Sequence, residues 1–427
     1  MKQDSCTMEA KMSQLIDLDE LVPILVRSLD LRPIVTVPCG GTGSGNIIKE
    51  LQEYFDVNVL LNAYDDGKST GRIRDEFAML GPSDIVKNIT TLVDTKKFPG
   101  LSAFMDYRCI NNDPSDNQII REEMTVIAGN SEVNGSLLSA DRFVALFYNV
   151  EQQFAPVLRE YFDLFCRNLS GSFDLRDMGV RNIVFTGCFI KNERDYEATI
   201  EELRGLFGVS PKIVLNGFES RRLIGLSEEG TLLPSEHAII EYKGGSEVRT
   251  LYAIERKMTK EEILNIERLS MLEQKKAYIE SNFNTGIECN PKAIDAIRKS
   301  DVILFGPTTY NSSLFPTLMT LGISEAVRES RASKMLVVNL VKEESMATAS
   351  YFPSRLKEMY GIDVDFILAS NISGHVNDNF VPVDISELQK YGQVIKGDFY
   401  QGLGKHRADM VAKTALLLYA LSGGTRE

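Results

Sequence analysis

Ile34-Val35-Thr36-Val37-Pro38-Cys39-Gly40-Gly41-Thr42-Gly43-Ser44-Gly45 is the stretch on which the fold turns. Its first four residues are β-branched and uncharged, the composition of a strand covered on both faces. The glycines at 40, 41, 43 and 45 then allow a turn whose N–H groups approach a phosphate, and a helix start behind them adds partial positive charge. The same glycines also suit a tight turn with positive φ and no ligand. Residues 46–55 carry helical spacing, and 57–63 form a second buried strand. Strand, glycine turn, helix and strand is the opening of a doubly wound α/β domain.

Working outward, Leu15, Leu18, Val22, Leu25 and Leu29 predict an amphipathic helix over 12–30, ended by Pro33. Residues 110–135, rich in Asn, Asp, Gly and Ser, read as loop. Two helices are expected over 137–169, broken at Pro156 and crowded with Phe143, Leu146, Phe147, Phe154, Leu158, Phe162 and Phe165. The alternation of helix and strand resumes at Arg181. It gives helix 194–207, strands 212–216, 222–226 and 248–254, one charged helix 259–280, and strand 302–306. Helix 320–330, strand 335–340, helix 352–360, strand 364–369 and helix 408–421 follow. The expected organisation is an N-terminal helical extension (1–33), a nucleotide-binding domain (34–109 and 179–427), and a helical insertion (110–178). The insertion is too apolar for a solvated linker, so it is expected to cover the pocket or to build a homo-oligomer interface.

The chain has 427 residues, with 60 acidic against 47 basic side chains and a net charge of -13. That balance excludes a general nucleic-acid binder, whose affinity rests on lysine and arginine. Cys6, Cys39, Cys109, Cys166, Cys188 and Cys289 form no C-x-x-C pair, and only His237, His375 and His406 are present, so a zinc site is not expected. The longest apolar run, Ala415 to Leu421, is far below the roughly 20 residues of a membrane span. With acids at Asp17, Asp19 and Glu20 and scattered thiols, a soluble cytoplasmic protein is expected.

Three further blocks carry candidate chemistry. Asp65-Asp66-Gly67-Lys68-Ser69-Thr70-Gly71-Arg72-Ile73-Arg74 follows the second strand. It is not a P-loop, because Asn62 stands where that motif needs its first glycine. Asp65 can bind a ribose hydroxyl, as in dinucleotide folds. Alternatively, Asp65 and Asp66 can hold magnesium while Lys68, Arg72 and Arg74 neutralise phosphates; a solvated charged loop is the third reading. Asp84, with Lys87 and Asn88 nearby, reads as a cap for the helix that follows. Gly306-Pro307-Thr308-Thr309-Tyr310-Asn311-Ser312-Ser313-Leu314-Phe315-Pro316 sits at the carboxyl end of a buried strand and offers either a dense polar patch or a capped turn.

Together these blocks resemble the 2-phospho-L-lactate transferase (CofD) and gluconeogenesis-factor (YvcK) family over most of 34–422, nearer the YvcK branch. The G-G-G-T-G of that branch is similar to Gly40-Gly41-Thr42-Gly43, and its D-D-G-x-S-x-G-R-x-R to Asp65 through Arg74. Its G-P-G-S-x-Y-x-S-x-x-P resembles Gly306 to Pro316, with Thr308 in place of a glycine, and its N-L resembles Asn339-Leu340. The late R-H-D-P keeps only His406, the G-D-I-R-N keeps Asp84 and Ile85, and the H-S-x-G-N keeps only Asn182, with Met178 and Arg181 departing. The resemblance implies a Rossmann-like fold and a nucleotide-diphosphate pocket. Asp65, Asp66 and Asp84 would then serve catalysis, with magnesium on Asp65 and Asp66. Gly40, Gly41, Thr42, Gly43, Ser44, Lys68, Ser69, Arg72, Arg74, Asn182, Gly306, Thr309, Ser312, Ser313, Asn339 and His406 would bind the nucleotide. The activity implied is CofD-like transfer of a phospholactyl or phosphoryl-type group from a nucleotide-diphospho-linked donor. A non-catalytic, YvcK-like UDP-sugar-binding regulator of cell-wall or carbon metabolism is the alternative. The residues alone also leave an NAD-dependent dehydrogenase open.

Overall fold

Seven strands form the central sheet: β1 (Ile34–Cys39), β2 (Asp56–Leu61), β3 (Lys212–Leu215), β4 (Val302–Phe305), β5 (Ser333–Val337), β6 (Phe366–Ser370) and β7 (Gln393–Gly397). The structure is a computed structural model that describes residues 18–29, 31–40, 43–109, 116–130, 143–244, 246–342, 348–370 and 379–423. Strand order is β7-β6-β5-β4-β1-β2-β3, with every neighbouring pair parallel. The chain lays β2 and β3 on one side of β1, then places β4 to β7 on the other. Between β1 and β4 the winding reverses, and in such sheets ligands bind in the crevice beyond the carboxyl ends there.

Side chains alternate between the faces of a strand, and here both faces are covered, so the strands read as continuous apolar runs. Val302 and Leu304 join the core on one face, while Ile303 and Phe305 join the core on the other. Met335 and Val337 against Leu336 repeat the division. These buried runs form the doubly wound α/β sheet expected from the sequence.

Helix α1 (Gly45–Leu51) follows β1, and α2 (Lys68–Phe77), α3 (Pro82–Thr91) and α4 (Val180–Lys191) lie between β2 and β3 in the chain. The loop expected over 110–135 contains a helix, Asp116–Ile127, whose buried Ile120, Met124 and Ile127 share one face. Residues 110–115 and 131–142 lie outside the described segments. Phe143–Tyr148 and Ala155–Asn168 are the two expected helices. A short antiparallel ladder, Arg108↔Gly179 and Cys109↔Met178, closes the insertion at its base. Phe143, Phe147, Phe154, Leu158, Phe162 and Phe165 are all buried in the core that also holds Val35 and Val37. The apolar content that suggested an oligomer interface is thus covered within one chain.

The segment between β3 and β4 departs from the sheet. Arg222–Ser227 pairs antiparallel with Leu232–Leu233 and with Val248–Ile254. The expected helix 259–280 is two helices, Lys260–Glu267, opened by a capping box between Thr259 and Glu262, and Leu272–Asn282. The N-terminal helix is described over Leu18–Ser28, and the final helix is Ala408–Leu421. Among the described residues no helix is long and apolar enough to cross a membrane.

Candidate functional site

The loops after β1 and β4 interlock at the switch point. A β-carbon on Gly43 would stand 2.1 Å from the Pro307 carbonyl oxygen, and one on Gly306 would stand 2.5 Å from Ser44 Oγ. The glycines therefore let two backbones touch, which is a packing role beside any phosphate contact. Thr308 Oγ1 donates to the Gly40 carbonyl at 2.7 Å, and Ser44 Oγ donates to Pro307 O at 3.3 Å. Asn339, just past β5, donates to Thr308 O at 3.0 Å and fixes the loop from the other side. The polar segment itself forms one π-helical turn, Tyr310–Leu314, with Leu314 N donating to Thr309 O at 3.1 Å. Such widened turns occur frequently at functional sites. Here Ser312 Oγ donates to Thr309 Oγ1 at 2.7 Å, and Thr309 Oγ1 lies 2.7 Å from Ser313 Oγ.

The segment after β2 is a turn followed by α2. Asp65 Oδ1 accepts from Gly67 N and Oδ2 from Thr70 Oγ1, both at 2.9 Å, so this carboxylate organises the helix start. Thr70 Oγ1 lies 2.5 Å from Ser83 Oγ, which donates to Asn182 Oδ1 at 3.0 Å, tying α2, α3 and α4 together. Asp84 lies inside the first turn of α3, whose N-cap is Gly81, so it is not the cap expected. Asn88 turns back on its own helix, donating to Asp84 O at 2.8 Å.

These elements line two adjacent cavities. The larger, about 780 Å³, is lined by Gly43, Asp65, Asp84, Lys87, Thr309, Ser312, Ser313, Asn339 and His406, among others. The smaller, about 430 Å³, is lined by Ser69, Arg108, Arg181 and Asn182 and again by Asp65, Asp84 and Lys87. Arg108 and Gly179, which flank the helical insertion on either side, supply part of the smaller lobe's wall. Arg181, the departure noted in the sequence, is there ion-paired with Asp106.

Three candidate residues are placed elsewhere. Arg74, expected on a phosphate, is buried and donates to Tyr64 O and Asp65 O, both at 3.1 Å, to Ser220 Oγ at 3.0 Å, and to Arg221 O. Its guanidinium fastens the β2–α2 turn to the antiparallel sheet, and burial lowers its pKa to about 10. Asp66, expected beside magnesium, is ion-paired with Arg222 and lies 3.8 Å from Arg74. Arg72 reaches the insertion through Asp174, at 3.6 Å, and Arg176 O. Gly41, Thr42 and the Lys68 side chain lie outside the described residues.

Glu236 was not foreseen. It opens a five-residue helix, Glu236–Ile240, whose N-cap Ser235 accepts from Ala238 N. It is buried against the larger lobe, and its Oε2 accepts from Asp66 N at 3.0 Å. Burial, with the nearby charges of Asp65 and Asp84 adding to it, pushes its carboxyl up to about 9, so it holds a proton at neutral pH. No motif announces it, because its position depends on a chain return from the antiparallel sheet. His406 Nε2 lies 3.0 Å from the Val338 carbonyl, an acceptor that favours the proton on Nε2, and burial lowers its pKa.

Fold and site define a Rossmann-like α/β protein with a polar, two-lobed cleft at its switch point. The chain belongs to the 2-phospho-L-lactate transferase CofD family, whose profile matches residues 35–399. It is 20% identical over 336 residues to the "Putative gluconeogenesis factor" of Thermotoga maritima, covering 78% of this chain and 76% of that one. A protein of the same description from Lactococcus lactis is 32% identical over 127 residues, 29% of this chain and 37% of that one. The crystal structure of an upf0052-family protein from Bacillus halodurans superposes with a TM-score of 0.62 at 19% identity, covering 90% of this chain and 99% of that one.

Proposed function

We propose that the chain is a transferase that takes a nucleotide-diphospho-linked donor in the larger lobe and an acceptor in the smaller. The observation that carries this reading is the sharing of Asp65, Asp84 and Lys87 by both lobes. A group leaving one ligand for the other would cross at that junction. Transfer of a phosphoryl-type group needs positioning and charge neutralisation more than a protein nucleophile. Lys87 supplies positive charge at the junction, and the Thr309–Ser313 hydroxyls and Asn339 line the donor lobe.

Among the described residues no cluster of three or more His, Cys, Asp or Glu is arranged to hold a metal ion. Magnesium does not require one, since it commonly takes one or two carboxylates and completes its shell with phosphate oxygens and water. Asp65 and Asp84 fit that mode, and Asp66, already engaged by two arginines, does not. When bound, the ion would neutralise diphosphate charge.

The regulator reading uses the same larger lobe without turnover and is favoured by the relatives named gluconeogenesis factors. Thermal-shift titration with UDP-sugars, GDP, CDP and NAD, with and without magnesium, followed by product analysis of any binding donor, separates the readings. A donor that binds and is consumed in the presence of an acceptor supports the transferase. Binding with no consumption across the acceptors tried supports the regulator, and a response to NAD alone contradicts both.

A further inference from the structure

Helices α2, α3 and α4 all begin at the smaller lobe, which takes Ser69 from the first, Ser83 from the second, and Gly179, Arg181 and Asn182 from the third. Their N-caps are glycines, Gly67, Gly81 and Gly179, and none has a side-chain cap. First-turn N–H groups that a Ser or Asp cap would engage are left for a ligand, and the positive ends of three helix dipoles meet at one place. Asp84, in the first turn of α3, offsets part of that charge.

Side-chain donors without partners stand in the same lobe. Asn182 is only 3% exposed; its Oδ1 accepts from Ser83 Oγ, and its Nδ2 has no hydrogen-bond partner among the described residues. Arg181 Nε is buried and equally without one. Arg108 engages Nη1 alone, with Asp177 O at 2.7 Å, Asp177 Oδ1 at 3.2 Å and Ser69 Oγ at 3.3 Å. A β-carbon on Gly179 would stand 3.9 Å from Arg108 Nη2, which puts this second nitrogen beside the start of α4.

The charged lining divides by place. Asp65, Asp84 and Lys87 are shared with the larger lobe, whereas Arg108, Arg181, Asp106 and His237 line the smaller one alone. Asp106, paired with Arg181, has a side chain 63% exposed, and Asp177, paired with Arg108, one 37% exposed, so both pairs are weak and can yield to a ligand. His237 is paired with Glu241 at 3.2 Å. Donors converging from two arginines, an amide and several helix starts suit the three oxygens of a phosphate ester better than a carboxylate, which one arginine fork satisfies. We propose that the smaller lobe holds the phosphate of a phosphorylated small molecule, gripped by Arg108, Arg181 and Asn182 at the starts of α2 and α4. The other end of that molecule then faces Asp65, Asp84 and Lys87, which makes it the acceptor; this role rests on the transferase reading, while the anion site itself does not. The lobe's volume of about 430 Å³ is within the usual range of roughly 300–1,000 Å³ for small-molecule sites and exceeds what a phosphate alone fills.

The test is calorimetric titration of the full chain with glycerol phosphate, lactate and glycerol, with and without UDP and magnesium. Parent, Arg108→Gln, Arg181→Gln and Asp106→Asn are compared, and the Tm of each variant checks its fold. Glycerol phosphate is expected to bind the parent and glycerol not, and saturating UDP should leave that binding in place. Each arginine variant should weaken it roughly tenfold, as loss of a charge-assisted hydrogen bond does. Asp106→Asn removes the carboxylate that competes for Arg181 and should tighten binding severalfold, a gain that a purely structural ion pair would not give. Absence of glycerol phosphate binding overturns the inference, as does binding unchanged in both arginine variants or weakened by Asp106→Asn. Displacement by UDP overturns it by placing the phosphate in the larger lobe, and lactate bound as tightly as glycerol phosphate overturns the choice of a phosphate. Glycerol phosphate bound as expected while no donor is consumed removes the transferase reading and keeps the anion site. A donor consumed with an uncharged acceptor, and no glycerol phosphate bound, keeps that reading and overturns the inference.

Discussion

Glu236 keeps its proton in the folded chain because burial disfavours its charged form and ionising it would also place a third negative charge beside Asp65 and Asp84. In the unfolded chain it ionises near its ordinary value of 4.5, so the native state binds the extra proton between there and about 9. Stability from this group is complete below the lower value and is lost as pH rises through the upper one. The Tm of the parent is therefore expected to fall more steeply from pH 5 to pH 9 than that of Glu236→Gln, in a calorimetric series; equal slopes would contradict the assignment. Arg74 and Arg72 make a second contrast. Arg74→Ala strands the Tyr64, Asp65 and Arg221 carbonyls and weakens the compensation of Asp66, at a cost of about 3–5 kcal/mol in urea unfolding. Arg72, whose side chain is 32% exposed and whose Asp174 partner is 3.6 Å away, should lose about 1 kcal/mol or less in the alanine variant. Gly43 belongs with Arg74: its missing β-carbon is 2.1 Å from Pro307 O, so even Gly43→Ala must part the two loops, lowering Tm along with ligand affinity.

At the scale of elements, the two polar loops are only as accurate as the helices that hold them. Ser83 on α3 bridges Thr70 on α2 and Asn182 on α4, so Ser83→Ala should loosen the junction. Local hydrogen exchange at the start of α2 is expected to quicken while the sheet core stays protected; unchanged exchange there would show the bridge to be idle. The β1 turn and the β4 loop were legible because uncharged apolar runs end abruptly in glycine, and β2 because Val57 to Leu61 carries no charge and is mostly apolar. Helix α2 was not: among Lys68–Phe77 only Ile73 and Phe77 are large apolar residues, and Arg74 is buried through hydrogen bonds that no periodicity reveals. β7 was missed because it is an edge strand whose residues are half exposed, so Gln393–Gly397 lacks the signature of a doubly covered strand. Asp116–Ile127 did carry a signal, Ile120, Met124 and Ile127 at helical spacing, which the flanking Asn and Asp residues obscured. The candidate site was legible where its residues follow central strands. It was illegible where tertiary return decides, as with Glu236, and where the second side of an ion pair is remote in sequence, as with Asp66 and Arg222.

For the whole molecule, the strand order fixes where chemistry can occur. Reversal of winding between β1 and β4 opens the crevice, and the segments that flank the insertion add a second lobe beside it, at Arg108 and Arg181. The two lobes meet at only Asp65, Asp84 and Lys87 among the described residues. The central claim is that this junction, and not the Asp66–Arg74 pair, faces the ligand. Its most direct test is the magnesium dependence of UDP and GDP binding, by calorimetry, in the parent, Asp84→Asn, Asp66→Asn and Lys87→Ala. The account predicts that Lys87→Ala weakens binding roughly tenfold, as loss of a charge-assisted hydrogen bond should. It predicts that Asp84→Asn removes the gain from magnesium and that Asp66→Asn lowers Tm while keeping that gain. Loss of the magnesium response in Asp66→Asn, with Asp84→Asn and Lys87→Ala behaving like the parent, would contradict it.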